Sequence, residues 1–464
     1  MTNFVVWDIE SSGLSTKYDQ MITFAAVLTD DNFNILEEFS LKGTPNKGVL
    51  PAFGALSTNG IKMTELQKGN LSQYQMVLQI WKKFSEWSNI KPITFISQNG
   101  FRFDEEMLRH SFYMNLLPVF MTNTGGNCRC DSLHIFKSTA IFRPGLLKIP
   151  SSNGKMTLAL EAMAKENNLP HLAHNALGDC TVLVKLLKII ADADPDFFKQ
   201  NLLTASKNAV FDYVSNNSVF CHPYTYYKKY ILSLVAFRPK SARSEILCFD
   251  MAKDPSYYFD FSTQELSKVI RKKDSPFVIL KSNKMPSLFP LSYRNYISDN
   301  RIVNEELFIR SEHIRSNLIF QDRCLEALDL SARSYPENSN AEIEEQIYSG
   351  GFPSSRDQYL MQQFHELEWH QRLDICNQFE SSKHRSIGLN IIYQEQPDLL
   401  PKEIRLEIEK KIDDRLNIIE NRPRNIHQSI HEFEKFKEEH AGVQQYLVDD
   451  YENFLHQMIS GNQQ

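Results

Sequence analysis

The sequence predicts an α/β unit built on a mixed sheet, then a small β-rich unit, then an all-helical region. Three observations lead there. A strand-prone apolar run over residues 4–11 opens a hairpin, after which helices alternate with short strands. Short β-prone runs joined by polar turns fill residues 219–281. From Phe352 onward, apolar residues recur at helical spacing. A chain of 464 residues exceeds what one core organises, so two to four domains are expected.

The composition, 42% hydrophobic and 23% charged, is that of a globular protein in water. No run approaches the ~18 apolar residues of a membrane span, and the N-terminus lacks a signal peptide's basic-then-apolar layout. The seven cysteines, odd in number and widely spaced, predict reduced thiols and a cytoplasmic setting. Cys128 and Cys130, one residue apart with no second pair, make a poor zinc site. A net charge of −6 argues against a protein coated in nucleic acid but permits a local basic channel.

Within the first unit, residues 21–29 and 33–42 read as strands joined by the turn Asp30-Asp31-Asn32. Residues 71–87 carry Val77, Leu78, Ile80, Trp81 and Phe84 at helical spacing, and 93–97 form a short buried strand. Asn99-Gly100 suits a tight turn, and Asp104 stands near the start of the next helix. Asn175 can cap a helix reaching about residue 191, with Asp179 near its start and His174 in the loop before it.

Strand one ends in Asp8-Ile9-Glu10. Alternation puts both carboxylates on one face, about 7 Å apart along the backbone. Such a pair is either the polar face of a solvated edge strand or a site where a divalent ion neutralises the repulsion. Asp104 alone could be an N-terminal acid favoured by the helix dipole, and His174 alone a polar loop residue. The ordered set Asp8, Glu10, Asp104, His174 and Asp179 carries more than any of its members.

That set resembles the D-E-D-D-h form of the proofreading-type 3′→5′ exonuclease superfamily, whose fold is RNase H-like. The resemblance implies that Asp8, Glu10, Asp104 and Asp179 hold two Mg2+ ions, with Mn2+ a plausible substitute, and that His174 is the general base. The chemistry agrees independently. Phosphodiester hydrolysis needs an activated water and a stabilised leaving oxygen, which two hard ions on oxygen ligands supply. A histidine near its ordinary pKa of roughly 6.5 accepts the water's proton at neutral pH.

The remaining ~270 residues resemble bacterial exonuclease I, in which an SH3-like domain and a C-terminal helical domain join the exonuclease domain around single-stranded DNA. The motifs are Phe103-Asp104-Glu105-Glu106 through Arg109, Asp131 through Lys137 to Arg143-Pro144, Lys281-Ser282-Asn283-Lys284-Met285-Pro286, and Gln346-Ile347-Tyr348-Ser349-Gly350-Gly351-Phe352. It implies domains at 1–192, 196–338 and 342–460, with Glu10, Arg109, Lys137, Arg143, Lys284 and Tyr348 touching substrate. It further implies a monomer acting in DNA repair and recombination, whose basic outer helical residues could hold the acidic tail of a single-strand-binding protein. Two departures stand out. Ala159 occupies a position where the family pattern has Arg, leaving Lys155 as a substitute, and residues 120–126 offer one aromatic, Phe120. Reduced processivity or looser substrate choice would follow.

Further along, residues 219–230, 231–237, 246–249 and 277–281 read as strands, with His222-Pro223 as a turn. Ser262 and Glu265 are spaced as a capping box for one helix. Lys228, Lys229, Arg238, Lys240, Arg243, Lys268, Arg271, Lys272 and Lys273, interleaved with aromatics, read as a DNA-backbone contact. Residues 338–345 read as an acidic linker. Helices follow at 354–364, 366–379, 385–394, 402–421 and 426–458, with Trp369, Leu373, Leu389, Ile392 and Tyr393 as core. Two rivals remain: a 3′→5′ exoribonuclease using the same site, and a catalytically idle DNA-binding scaffold.

Overall fold

The computed structural model describes residues 2–152, 155–170, 175–224, 230–239, 243–296, 302–332, 341–349, 351–417, 424–440 and 442–461. Strand β1 (Asn3–Ser11) runs through the middle of a six-stranded mixed sheet of order β4-β3-β2-β1-β5-β6. On one side β2 (Met21–Thr29) and β3 (Ile35–Thr44) continue antiparallel, and β4 (Leu71–Ser72) joins β3 in parallel. On the other, β5 (Ile93–Ser97) and β6 (Cys128–Asp131) run parallel. The β2–β3 turn forms where expected: the Asp30 carboxylate accepts the backbone N–H groups of Asn32 and Asn34, and Phe33 takes φ +58°.

Alternation along β1 divides two cores. Val5, Trp7 and Ile9 pack with Val77, Ile80 and Phe84 of the helix Gln73–Ile90. Phe4 and Val6 join the opposite core with Cys180, Leu183 and Leu187 of the helix Ala176–Ala193. Asp8 and Glu10 continue the Phe4–Val6 face toward the strand's C-terminal end. Between β3 and β4 lie two short helices, α1 (Phe53–Asn59) and α2 (Met63–Leu66), too short to show a period in the sequence. Helix α3 (Gln73–Ile90) starts two residues later than expected because Leu71 and Ser72 are drawn into the sheet. There Ser72 accepts the Gln75 N–H and completes a capping box. The order then runs α4 (Asp104–Tyr113), α5 (Ser132–Phe142), a hairpin of β7 (Ser151–Ser152) and β8 (Lys155–Met156), α6 (Leu160–Glu166) and α7 (Ala176–Ala193).

The second sheet is antiparallel, in the order β12-β11-β10-β9-β13. Its strands are β9 (Phe220–Tyr224), β10 (Tyr230–Ala236), β11 (Glu245–Asp250), β12 (Phe277–Lys281) and β13 (Phe289–Pro290). The helix Thr263–Val269 carries the expected Ser262–Glu265 capping box. The expectation of a single helix in this unit needs correction. Helix Lys207–Asn216 covers the sheet face bearing Leu234 and Cys248, while Asn304–Ser316 and Leu318–Ala332 cover the face bearing Val235 and Phe249. In Asn304–Ser316 the buried positions are only Leu307, Ser311 and Ile314, set among charges that hide the period. His222 is likewise no turn residue. It lies in β9, where its Nδ1 meets the Ser287 carbonyl at 2.8 Å and burial pushes its pKa down to about 4.

The C-terminal region contains helices Ser355–Glu366, Trp369–Gln378, Ser382–Glu395 and Lys402–Asn417. The single helix expected over 426–458 is two, Ile426–Glu439 and Gln445–Gly461, interrupted where Gly442 takes φ +100°. Trp369, Leu373, Leu389, Ile392 and Tyr393 do belong to core. This region is also packed into the first unit. Leu416, Phe433 and Tyr451 share one cluster with Ile22, Leu50 and Phe53, and the Tyr451 hydroxyl donates to the Pro51 carbonyl at 2.7 Å. Residues 341–345 are no free linker either. They lead into a short 3₁₀ turn (Ile343–Tyr348), with Glu345 paired to Lys17 at 3.0 Å and Glu344 to Arg415.

Candidate active site

Asp8, Glu10 and Asp179 each present a carboxylate oxygen, and all three oxygens lie within 4.8 Å of one another. β1 supplies the first two from one face. α7 supplies Asp179 because Asn175 caps that helix by accepting the Gly178 N–H at 3.0 Å, setting Asp179 in its first turn over the sheet. His174, the residue before this cap, lies outside the described residues.

Asp104 arrives from β5, the parallel neighbour of β1. The connecting turn is tight: Asn99 has φ +57°, and a Cβ on Gly100 would sit 1.9 Å from the Ser97 Oγ. Asp131, buried at the end of β6, holds this turn by accepting the Asn99 N–H at 2.8 Å and the Phe101 N–H at 3.4 Å, and it caps α5 through the Leu133 N–H. Sequence reading placed Asp131 in a motif without assigning this role. An aspartate directly before a helix is the signal that finds a cap, though not its second bond to a neighbouring turn.

The electrostatics are those of acids crowded together. Burial, then Asp104, Glu10 and Asp179, raise the Asp8 pKa well above the ordinary range. Burial and Asp179 push Glu10 to about 7, against a lowering contact from the Asn59 side chain. Burial pushes Asp104 to about 7, with Asp131, Glu10 and Glu105 adding repulsion. A donor set of clustered carboxylate oxygens with unfavourable mutual charge fits hard divalent cations. Because these acids bind protons more tightly folded than unfolded, their contribution to stability is greatest at low pH. It is lost as pH rises from roughly 4 through about 7. We therefore expect saturating magnesium to raise the melting temperature more at pH 8 than at pH 5.5. Equal shifts at both pH values would sink this account.

The other predicted substrate contacts are mostly engaged with protein. Arg109 is buried: its guanidinium bonds Glu105 at 3.0 Å, Asn123 at 3.0 Å and the Tyr348 hydroxyl at 3.4 Å, and lies 4.9 Å from the Phe120 ring centre. Arg143 pairs with Asp194 at 2.6 Å and packs against Phe197, Tyr293 and Tyr296. Lys284 donates to the Phe101 carbonyl at 2.7 Å and reaches Glu106 at 3.3 Å. Tyr348 donates to Glu106 at 2.6 Å while its ring stays exposed. Lys137, half-buried on α5, forms no ion pair among the described residues. Lys228, Lys229 and Lys240 lie outside the described residues, as does the Lys155 side chain.

In the basic cluster of the second unit, Arg238 pairs with Asp322, Arg243 with Asp329, and Arg271 with Glu245 at 2.7 Å. These three pairs tie the sheet to its neighbours. The acids that match them, on Leu318–Ala332 and β11, are far off in sequence.

From Glu10 a channel of about 1160 Å3 opens between the first unit and the C-terminal helices. It is lined among others by Leu14, Asn59, Phe103, His110, Arg415 and Lys435.

Comparison with known proteins agrees with this architecture. The model of the exonuclease family, RNase_T, matches residues 5–187. Those residues, with their mixed sheet and converging acids, are an exonuclease domain. Exodeoxyribonuclease I of Haemophilus influenzae is 25% identical over 379 residues, covering 76% of this chain and 78% of that protein. The chain resembles bacterial exonuclease I well beyond the matched domain. Escherichia coli exonuclease I in complex with a dA16 oligonucleotide superposes with a TM-score of 0.84 at 19% identity, covering 98% of this chain and all of that one. A zinc-bound form of the E. coli enzyme with single-stranded DNA gives a TM-score of 0.82 at 18% identity over 99% of this chain and all of that one. The fold is therefore shared across both sheets and the helical region.

Proposed function

We propose that this protein degrades single-stranded DNA from the 3′ end, hydrolysing phosphodiesters and releasing 5′-mononucleotides. The observation that carries this reading is the meeting of Asp8, Glu10 and Asp179 within 4.8 Å, with Glu10 lining a channel of about 1160 Å3. Asp8, Glu10, Asp104 and Asp179 would hold two magnesium ions, with manganese a substitute. Bound there, the ions would supply Lewis acidity for the attacking water and charge neutralisation for the leaving oxygen.

The chain's own residues do the rest. The Asp131 clamp and the close approach at Gly100 fix where Asp104 presents its carboxylate. Asn59 steadies Glu10 at the channel wall. His174, one residue before the α7 cap, accepts the proton from the water. Replacing His174 by Ala should lower kcat by roughly 10²–10⁴-fold with DNA affinity nearly unchanged, and a wild-type rate would remove it from this role. We assign the units to residues 1–192, 196–338 and 342–460, and read the protein as a cytoplasmic monomer acting in DNA repair. A single-strand-binding protein's acidic tail remains the expected protein partner.

The test is degradation of 5′-labelled DNA and RNA oligonucleotides with magnesium or EDTA. A ladder shortening from the 3′ end on DNA alone, abolished by EDTA, supports the reading. Equal or faster loss of RNA would move the function to RNA turnover, and binding without cleavage would make the protein a scaffold.

A further inference from the structure

The turn that delivers Asp104 is held from two units of the chain at once. Within the first unit, Asp131 accepts the Phe101 N–H at 3.4 Å, and the Gly100 carbonyl accepts from Phe103 at 3.2 Å and Glu105 at 2.9 Å. From the second unit, the Lys284 ammonium donates to the Phe101 carbonyl at 2.7 Å and reaches the Glu106 carboxylate at 3.3 Å. Those two acceptors flank Asp104 in sequence, three residues before it and two after it. One ammonium therefore ties the turn to the start of α4 across the acid that lies between them.

Lys284 is itself firmly placed. It follows β12, where the Ser282 N–H donates to the Ser244 carbonyl at 2.8 Å and the Lys284 N–H to the Lys281 carbonyl at 3.0 Å. Arg129, already paired with Glu105, donates to the Asn283 carbonyl at 2.8 Å, and the His134 Nδ1 meets the Met285 carbonyl at 2.8 Å. Met285 is buried with φ +45°, a backbone state that a methionine keeps only where its surroundings over-determine it. Three consecutive residues of the second unit are thus fastened to the first beside one of the four acids. A lysine that meets a DNA phosphate needs its charge open to the strand, whereas this one is engaged by a carbonyl and a carboxylate. We propose that Lys284 is a positioning residue, which fixes the Asp104 carboxylate for metal from outside the exonuclease domain, so that the second unit completes the metal site. This rests on the reading that Asp104 is a metal ligand. Supports behind a ligand typically alter metal affinity or activity by about 10- to 100-fold, and a misplacement of about 1 Å changes a rate by a similar factor.

The experiment titrates the full chain with Mn2+, reading the free ion by its EPR signal, in the wild type and in Lys284→Met, which keeps the stem and removes the ammonium. Mn2+ affinity should fall roughly 10-fold and kcat on a 5′-labelled oligonucleotide roughly 10- to 100-fold, while Kd for the strand in EDTA stays within about 2-fold. Lys284→Gln, whose amide is one bond shorter, should give the same losses. In an Asp104→Asn background, where Asp8, Glu10 and Asp179 still meet, Lys284→Met should cost nothing more in Mn2+ affinity, because the residue it acts through is gone. Unchanged Mn2+ affinity in both Lys284 variants, or a further loss in the Asp104→Asn background, overturns the proposal. So does a Kd in EDTA that rises with a salt slope shallower by about one, the mark of a lost phosphate contact. A wild type that binds Mn2+ but cleaves no strand would instead remove the functional reading, and the titration would still decide the role of Lys284. A wild type that binds no Mn2+ overturns both.

Discussion

Asp8→Asn is expected to abolish hydrolysis, by a factor on the order of 10³ or more, while making the metal-free protein more stable. The two effects share one cause. Asp8 stands among Asp104, Glu10 and Asp179, and burial together with their repulsion disfavours its charged form. An amide of the same shape removes one charge from that group and relieves its neighbours. The variant should therefore melt above the wild type at pH 8 in EDTA. In saturating magnesium the order reverses, since the wild type recovers through binding what it loses through repulsion. Melting curves of both proteins in each condition decide the matter. An asparagine variant less stable than wild type in EDTA would show that the carboxylates are compensated by something else.

The second large effect lies one residue beyond Asp104. Glu105→Ala should destabilise the first unit by about 3–5 kcal/mol. Glu105 is buried, and its Oε1 accepts from Arg109 at 3.0 Å, Arg129 at 3.1 Å and Thr122 at 2.7 Å. Removing it leaves two buried guanidinium groups facing each other without their counter-ion. Urea unfolding followed by tryptophan fluorescence reads this directly, since Trp7, Trp81 and Trp87 report on that unit. Arg243→Ala is the contrast: its pair with Asp329 is half-exposed, and such pairs contribute roughly 0–1 kcal/mol. If both variants lost the same stability, the distinction between buried and surface pairing would fail here.

Much of the first unit was legible because its signals are local. β2 and β5 were read at their observed limits, since each is an unbroken apolar run between turn residues. The Asn175 cap and the Ser262–Glu265 box were legible for the same reason: a cap is decided within four residues. The four acids could be collected because each ends a strand or begins a helix. What stayed hidden depends on partners distant in sequence. Arg109 and Arg143 read as substrate contacts, and their engagement by Glu105 and Asp194 was not legible. Arg238 and Arg243 read as part of a DNA-backbone contact, and the acids more than eighty residues away that meet them were not legible. Helix Asn304–Ser316 was missed because its buried face is three residues wide. The break near Gly442 was passed over because apolar periodicity continues on both sides of it.

The shared cluster of Phe53, Ile22, Leu50, Phe433 and Tyr451 has a consequence for how the protein comes to exist in a cell. The side of the first unit next to the carboxylates is roofed by helices made far later in the chain. Tyr451 reaches the Pro51 carbonyl and Asp450 the Thr64 hydroxyl, across some four hundred residues of chain. During synthesis the segment around α1 therefore emerges long before the residues that bury it. A nascent chain holds its carboxylates early but cannot close the wall beside Asn59 until the segment carrying Phe433 and Tyr451 has been made. Assembly of the channel is thus timed by the ribosome, and a transcript cut short would encode a chain carrying the acids without the roof.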